Sequence, residues 1–218
     1  MILKVQNVTK EFGSPPAHVI RGVSLEVGSG EFLALTGKSG SGKSTLLYII
    51  SSLDRPTDGS ISVDGKDFAS MTEPELHRFR NRHMGFIFQF HYLLPEFTVL
   101  ENVLMPAVKS GEVKQKRDRA LMLLERFDLT ERLSHRPGQL SGGQAQRVAI
   151  ARALLMEPDF IFADEPTGSL DSANGKIVMD IFREISKGKT AVIYVTHDED
   201  FAKLARRQIH LKDGIIVN

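Results

Sequence analysis

The chain contains no cysteine, so it can form neither a disulfide nor a thiolate metal site. That fits a reducing compartment. It also lacks a surplus of either charge. Lys and Arg number 28 against 27 Asp and Glu, a formal net charge of +1, whereas a general nucleic-acid binder carries a marked basic excess. Long apolar runs are missing too. The stretch "MGFIFQFHYLLP" is interrupted by Gln89, His91 and Pro95 and falls short of the roughly 18–20 apolar residues that span a bilayer. Charges recur every few residues in "MILKVQNVTKEF", so no secretory leader is expected there. No repeat or low-complexity tract is present. If a membrane matters to this protein, a partner must supply it.

What is present is 218 residues, 41% of them hydrophobic and 25% charged, enough for one compact domain with a real core and a small subdomain. "LKVQNV" and "VSLEV" alternate as strands do, with Leu3, Val5, Val23, Leu25 and Val27 as the inward positions. "SISVDGK" and "QIHLKDGIIVN" each hold an Asp-Gly pair that favours a tight hairpin. "EFLALTG", "MGFIFQ", "DFIFADE" and "TAVIYVTH" are short apolar runs with little alternation, the pattern of strands buried on both faces. Helical segments lie between them. "KSTLLYIISSL" follows the first run. "TEPELHRFRNRH" opens with a Thr72–Glu75 capping box. "QKRDRALMLLERFDL" is read as amphipathic, with Leu121, Leu124 and Leu129 on one side. "GQAQRVAIARALLMEP" and "NGKIVMDIFREISKG" complete the set, the latter with Gly188 as its expected C-cap. "GSPP" at 13–16 reads as a loop, and the region from about Phe90 to Glu157 lacks strands. Strand–helix alternation predicts an α/β fold with a mostly parallel sheet.

The residues that carry chemistry sit at strand ends. "GKSGSGKST" (37–45) has P-loop spacing, a strand before it and a helix after it. Its backbone, from Gly37 through Lys38, Ser39, Gly40, Ser41 and Gly42, would curl its N–H groups around phosphates, and the helix start at Lys43, Ser44 and Thr45 would add partial positive charge. Lys43 would bridge the outer phosphates, and Ser44 would hold Mg²⁺ through its hydroxyl. Asp164, after an apolar strand, fits a Walker B carboxylate that holds Mg²⁺ directly or through water. Glu165, next in sequence, is the candidate to orient and deprotonate the attacking water. Gln89 is placed to ligate Mg²⁺ or water, and His197 to donate to the γ-phosphate.

One further stretch, "QLSGGQAQRV", sets two glycines at a helix entrance, although glycine costs a helix roughly 1 kcal/mol against alanine. Ser141, Gly142, Gly143 and Gln144 together offer a hydroxyl, open backbone N–H groups and an amide, which is a second anion-binding device. Either both devices grip one nucleotide within the chain, or each shares a nucleotide with a second copy.

"GKSGSGKST", "LSGGQ", "IFADEPTGSLD" and "THD" stand in the order typical of ATP-binding cassette (ABC) ATPases, and the resemblance covers essentially the whole chain. It implies one ABC ATP-binding domain over 1–218. Residues 1–89 and 158–218 would form a P-loop NTPase core with a mostly parallel sheet and an antiparallel β subdomain, and 90–157 a helical subdomain carrying the signature. It implies that two copies pack head to tail, the P-loop of one and the Ser141–Gln144 signature of the other closing on each ATP. Asp171, in "SLD", resembles the D-loop at that interface, and Phe12 resembles the aromatic residue that stacks on adenine. Ala145 departs from the pattern, since a polar residue is common there. Within the family, "FIFQFHYLLPEFTVLENVLMPAV" and "HRPGQLSGGQ" are similar to the LolD/MacB/FtsE-like group, and most of all to its lipoprotein-releasing members. That likeness implies transmembrane permease subunits of the LolC/LolE kind as partners, no nucleic acid, and a place on the cytoplasmic face of the inner membrane. Phe90, Tyr92, Leu93, Leu94 and Phe97 would line the groove that receives the permease. A MacB-like exporter and an FtsE-like cell-wall regulator are the alternatives, with a nucleic-acid-associated ATPase behind them.

Overall fold

The computed structural model describes residues 1–217; Asn218, the last residue of the expected C-terminal hairpin, lies outside them. The chain begins with β1 (Leu3–Phe12) and β2 (Ala17–Val27), a hairpin turning at the Gly13–Pro16 loop. Next come β3 (Phe32–Thr36), α1 (Lys43–Ile50), β4 (Asp58–Val63), β5 (Lys66–Asp67), α2 (Glu73–His83) and β6 (Met84–Phe88). Three helices follow, α3 (Val99–Ser110), α4 (Val113–Arg126) and α5 (Gly142–Leu154). The chain closes with β7 (Phe160–Asp164), α6 (Ser172–Ile185), β8 (Ala191–Val195), α7 (Glu199–Ala202), β9 (Arg207–Lys212) and β10 (Ile215–Val217).

Two sheets result. A four-stranded antiparallel sheet runs β2-β1-β4-β5, and a six-stranded sheet runs β10-β9-β3-β8-β7-β6, parallel except for its β10 edge. The central strands β3, β7 and β8 are buried on both faces, as their unbroken apolar runs require, whereas β9 alternates buried and exposed positions. Side chains alternate across the sheet. Phe32, Ala34, Ile161, Ala163, Val192 and Tyr194 point into a core shared with α3 to α6. Leu33, Leu35, Phe160, Phe162, Ile193 and Val195 point the other way, onto α1 and the inner face of the antiparallel sheet. Each large side chain so buried contributes roughly 1.5–3 kcal/mol relative to exposure. Leu3, Val5, Val23, Leu25 and Val27 all belong to the second core.

Both Asp-Gly pairs turn hairpins. Val63 pairs with Lys66 across Asp64–Gly65, and Lys212 with Ile215 across Asp213–Gly214. The Thr72–Glu75 capping box opens α2, with Thr72 N–H donating to Glu75 at 2.8 Å. The same device opens α3 through Thr98 and Glu101. No strand falls between Phe88 and Phe160 among the described residues.

Two details differ from the sequence reading. Helix α6 ends at Ile185 with Ser186 as its C-cap, so Gly188 lies past the helix, where its carbonyl packs closely against Gly30. On α4 the buried stripe is Ala120, Leu123 and Leu124; Leu121 is half-buried, and Leu129 is buried beyond the helix end. The apolar positions of that segment are dense enough to support two stripes, and packing against α3 and α5 selects one.

The strand register brings the site together. Phe88 pairs with Asp164, Asp164 with Val195, and Leu35 with Val195. The segments holding the P-loop, Gln89, Glu165 and His197 therefore leave from one edge of the sheet, outside the carboxyl ends of its strands.

Candidate active site

The P-loop wraps from β3 into α1. Gly37 sits at φ +137°, and a Cβ there would lie 2.2 Å from the Leu211 carbonyl oxygen, so only glycine fits. Lys43 is only 8% exposed. Its ammonium donates to the carbonyls of Gly37 at 2.9 Å and Lys38 at 3.0 Å, which closes the loop into a ring. Lys38, Ser39 and Gly40 form the exposed crest, while Ser44 and Thr45 are half-buried on the first turn of α1. The Ser41 hydroxyl is buried with no protein partner, a polar group left for a ligand to satisfy.

Asp164 ends β7 and faces α1. Ser44 Oγ donates to its Oδ1 at 2.8 Å and Tyr48 OH to its Oδ2 at 2.6 Å. Burial, then the bond to Asp164 and its charge, push the Tyr48 hydroxyl above its ordinary range and keep it a donor. Ser44 and Asp164 offer the hard oxygen atoms that suit Mg²⁺. Among the described residues no cluster of three or more His, Cys, Asp or Glu could hold a metal alone. That donor set fits Mg²⁺ arriving with a triphosphate that supplies the remaining oxygen ligands.

Glu165 adopts φ +48°, a costly conformation for a residue with a side chain, held by bonds from its N–H to Val195 O and from Gly168 N–H to its carbonyl. The turn presents its carboxylate to His197, whose Nδ1 lies 2.9 Å from Oε2. Glu165 is 20% exposed and His197 72%. His197 also borders a cleft of about 540 Å³ with Gly37, Lys38 and Ser39 on the other side, so it stands across from the P-loop crest. Gln89 rests its amide against Gly168, beside this turn, and accepts from Ser169 Oγ at its carbonyl.

The second anion-binding device forms the start of α5. Ser141 is its N-cap, accepting from Gln144 N–H at 3.3 Å, while the Gln144 side chain accepts from Ser141 N–H at 2.9 Å. Gln144 is thus spent partly on a capping box. The two glycines separate in role. A Cβ on Gly142 would meet only Leu170, at 3.7 Å, whereas one on Gly143 would fall 2.2 Å from Asn174 Oδ1. Asn174 is itself fixed by Asp171, the N-cap of α6, through bonds of 2.9 and 2.8 Å. Those bonds, the backbone N–H of Asn174 first, hold the Asp171 carboxyl below its usual range. Gly143 therefore permits α5 to approach α6. Gly143→Ala should destabilise the chain by about 1–3 kcal/mol through overpacking. In an open helix the same change stabilises by up to roughly 1 kcal/mol, so thermal unfolding decides by sign, and adding Asn174→Ala should restore most of the loss.

Ser141–Gln144 does not meet the P-loop of its own chain: no hydrogen bond among the described residues joins them. Helix α5 instead braces two segments at the carboxyl ends of β6 and β7. Gln146 Nε2 donates to Pro166 O at 2.6 Å, behind Glu165. Arg152 donates to the carbonyls of His91 and Tyr92, each at 2.7 Å, just after Gln89. His91 and Tyr92 both have positive φ, 59° and 45°, so this segment is strained and clamped. Phe12 ends β1 at 47% exposure with the Lys10 ammonium 4.9 Å from its ring centre, which leaves a ring face available at the surface.

Tyr48, Gln146 and Arg152 escaped the sequence reading. For Tyr48 a signal existed: it lies four residues after Ser44, on the same helix face. Gln146 and Arg152 gave none, because their partners are carbonyls that only the tertiary fold brings near.

Comparison with known proteins gives the family of the chain. The profile of the ABC transporter family matches residues 20–168. The chain is 58% identical over 217 residues to the lipoprotein-releasing system ATP-binding protein LolD of Leptospira interrogans, covering 99% of this chain and 91% of that one. It is 49% identical to the macrolide export ATP-binding/permease protein MacB of Burkholderia pseudomallei, covering 99% of this chain but 34% of that protein. Among solved structures, the dimeric bacterial ABC transporter cassette MJ0796 superposes with a TM-score of 0.88 at 43% identity, covering 99% of this chain and 97% of that one. The same cassette in a dimeric post-hydrolysis state with ADP and phosphate gives 0.87 at 39% identity and the same coverage.

Proposed function

This chain belongs to the ABC transporter family and is an ATP-hydrolysing cassette, and we propose that it powers lipoprotein release from the inner membrane by closing head to tail, in pairs, on ATP. The observation that carries the substrate class is similarity along nearly the full length, at 47–58% identity, to proteins named LolD. What supports the pairing is that its two anion-binding devices do not meet within one chain.

In the pair, the amides of the 37–45 loop and the Lys43 ammonium take the phosphates of ATP, with Phe12 against the adenine. Ser44 and Asp164 would hold the Mg²⁺ that arrives with ATP, which would offset phosphate charge, and Gln89 would touch that ion or the nucleophilic water. Glu165 accepts a proton from that water as its oxygen bonds to the γ-phosphorus and the bond to ADP breaks. His197 contacts the γ-phosphate from the end of β8 and, through Nδ1, also orients the Glu165 carboxylate. Ser141 of the second copy accepts from Gln144 N–H and keeps its own proton free to donate to the γ-phosphate, alongside the first amides of α5. Asp171 lies beside that seam. Hydrolysis removes the group that both copies hold, and the pair reopens.

We read residues 90–157 as the helical subdomain that transmits this motion. Phe90 and Tyr92 are 70% and 61% exposed, and Leu94 and Phe97 are exposed beside them, while Leu93 packs into the core. Those four exposed side chains adjoin the strained segment after Gln89 and suit a helix from a permease of the LolC/LolE kind. No helix among the described residues is long and apolar enough to cross a membrane. We place the chain beside such a permease, on the cytoplasmic face of the inner membrane.

Affinity capture from detergent-solubilised membranes tests the assignment. It should recover permease subunits whose loss abolishes lipoprotein release. The MacB similarity favours a second reading, a macrolide exporter cassette; recovery of a MacB-type permease, with lipoprotein release unaffected by deletion, would establish that one instead.

A further inference from the structure

The residue that the nucleotide reading leaves unused is Tyr48. It reaches from α1 to the carboxylate read above as a Mg²⁺ ligand, and its contact is as short as that of Ser44. Ser44 and Tyr48 stand four apart on α1 and deliver one hydroxyl to each oxygen of Asp164. A carboxylate turns easily about its last torsion, whose energy well is broad. One hydrogen bond lets it swing; two from a single rigid helix fix its plane. Mg²⁺ demands near-ideal octahedral geometry, so the plane of that carboxylate matters. The Tyr48 ring is fixed in turn. Phe88, at the end of β6, meets it edge-on at 6.4 Å between ring centres, and Tyr92 meets Phe88 edge-on at 5.2 Å. Nothing in this arrangement gives Tyr48 contact with the phosphates: its hydroxyl is engaged by Asp164, which lies between it and Ser44.

The geometry points to Tyr48 as a positioning residue for the Mg²⁺ site, holding Asp164 so that Oδ1 is presented to the metal or its water while Oδ2 is withheld. This rests on the reading of Asp164 as a metal ligand. Partners that orient a ligating group typically contribute 10- to 100-fold to metal affinity.

The test uses the full chain and a fluorescent, non-hydrolysable ATP analogue. Its binding is titrated with Mg²⁺, and separately measured in EDTA. For Tyr48→Phe, which keeps the ring against Phe88, the half-saturating Mg²⁺ concentration should rise about tenfold, while binding in EDTA stays within twofold of wild type. An unchanged Mg²⁺ requirement would overturn the inference. So would an equal weakening with and without Mg²⁺, since that would make Tyr48 a support of the fold or of the pocket generally. Asp164→Asn, measured alongside, separates the two levels. If it alters the Mg²⁺ requirement and Tyr48→Phe does not, the inference fails and the Asp164 reading stands; if neither does, both fail.

Discussion

Glu165→Gln should retain ATP, hydrolyse it about 10²–10⁴-fold more slowly, and elute as a dimer in ATP and Mg²⁺. The rate loss is the usual contribution of a positioned general base. Glutamine preserves the shape of the side chain, and its amide oxygen can still meet His197 Nδ1, 2.9 Å from the present carboxylate. The turn that holds residue 165 at φ +48° depends on backbone bonds that the substitution leaves alone. Affinity should therefore hold or improve, because the change removes a negative charge beside Asp164 from the vicinity of a polyanionic ligand. With hydrolysis blocked, the γ-phosphate stays in place and the two copies stay joined. Size-exclusion chromatography with light scattering measures this directly. A monomer for both wild type and variant would count against a shared nucleotide. Adding Ser141→Arg to the variant should return it to a monomer that still binds ATP, because it blocks the second device and leaves the P-loop intact.

Much of this arrangement is legible in the sequence alone. The parallel sheet followed from apolar runs without alternation, and the hairpins from Asp-Gly pairs, because both signals are local. The order of the strands was not local. Sequence places Gln89, Glu165 and His197 at three strand ends, but the pairing of Phe88 with Asp164 and of Asp164 with Val195 is what makes them neighbours. Gly143 shows the other limit. Its sequence context suggests an open backbone waiting for an anion, yet the tightest constraint on it comes from Asn174, on another helix. Gly188 failed as a C-cap for a similar reason: the helix before it stops at Ile185, and the glycine is needed where its carbonyl meets Gly30. Arg152 was beyond reach altogether, since it serves two carbonyls about sixty residues upstream.

Lys43→Ala should weaken ATP binding by about a hundredfold or more. Removing one member of a buried, hydrogen-bonded charge pair typically costs about 2–5 kcal/mol, and each 1.4 kcal/mol is a factor of ten. Lys43 is placed for that magnitude: it is 8% exposed, and its ammonium already lies within 3.0 Å of two loop carbonyls, so little reorganisation precedes its contact with phosphate. The variant also loses the ring closure that Lys43 gives the loop, so a fall in affinity has two sources, a disordered loop and a lost cation. Lys43→Met separates these, since it is only one atom shorter than lysine and keeps most of its packing; it should lose nearly as much affinity as alanine if charge dominates. Unfolding gives an independent readout. At ATP one hundred times the wild-type Kd, binding stabilises the wild type by about 2.7 kcal/mol, and a hundredfold weaker variant by about 0.4 kcal/mol. For a chain of this size those values correspond to shifts in Tm of roughly 5–10 °C and about 1 °C. Equal shifts in wild type and both variants would remove Lys43 from the phosphate site and leave the loop amides to hold the nucleotide unaided.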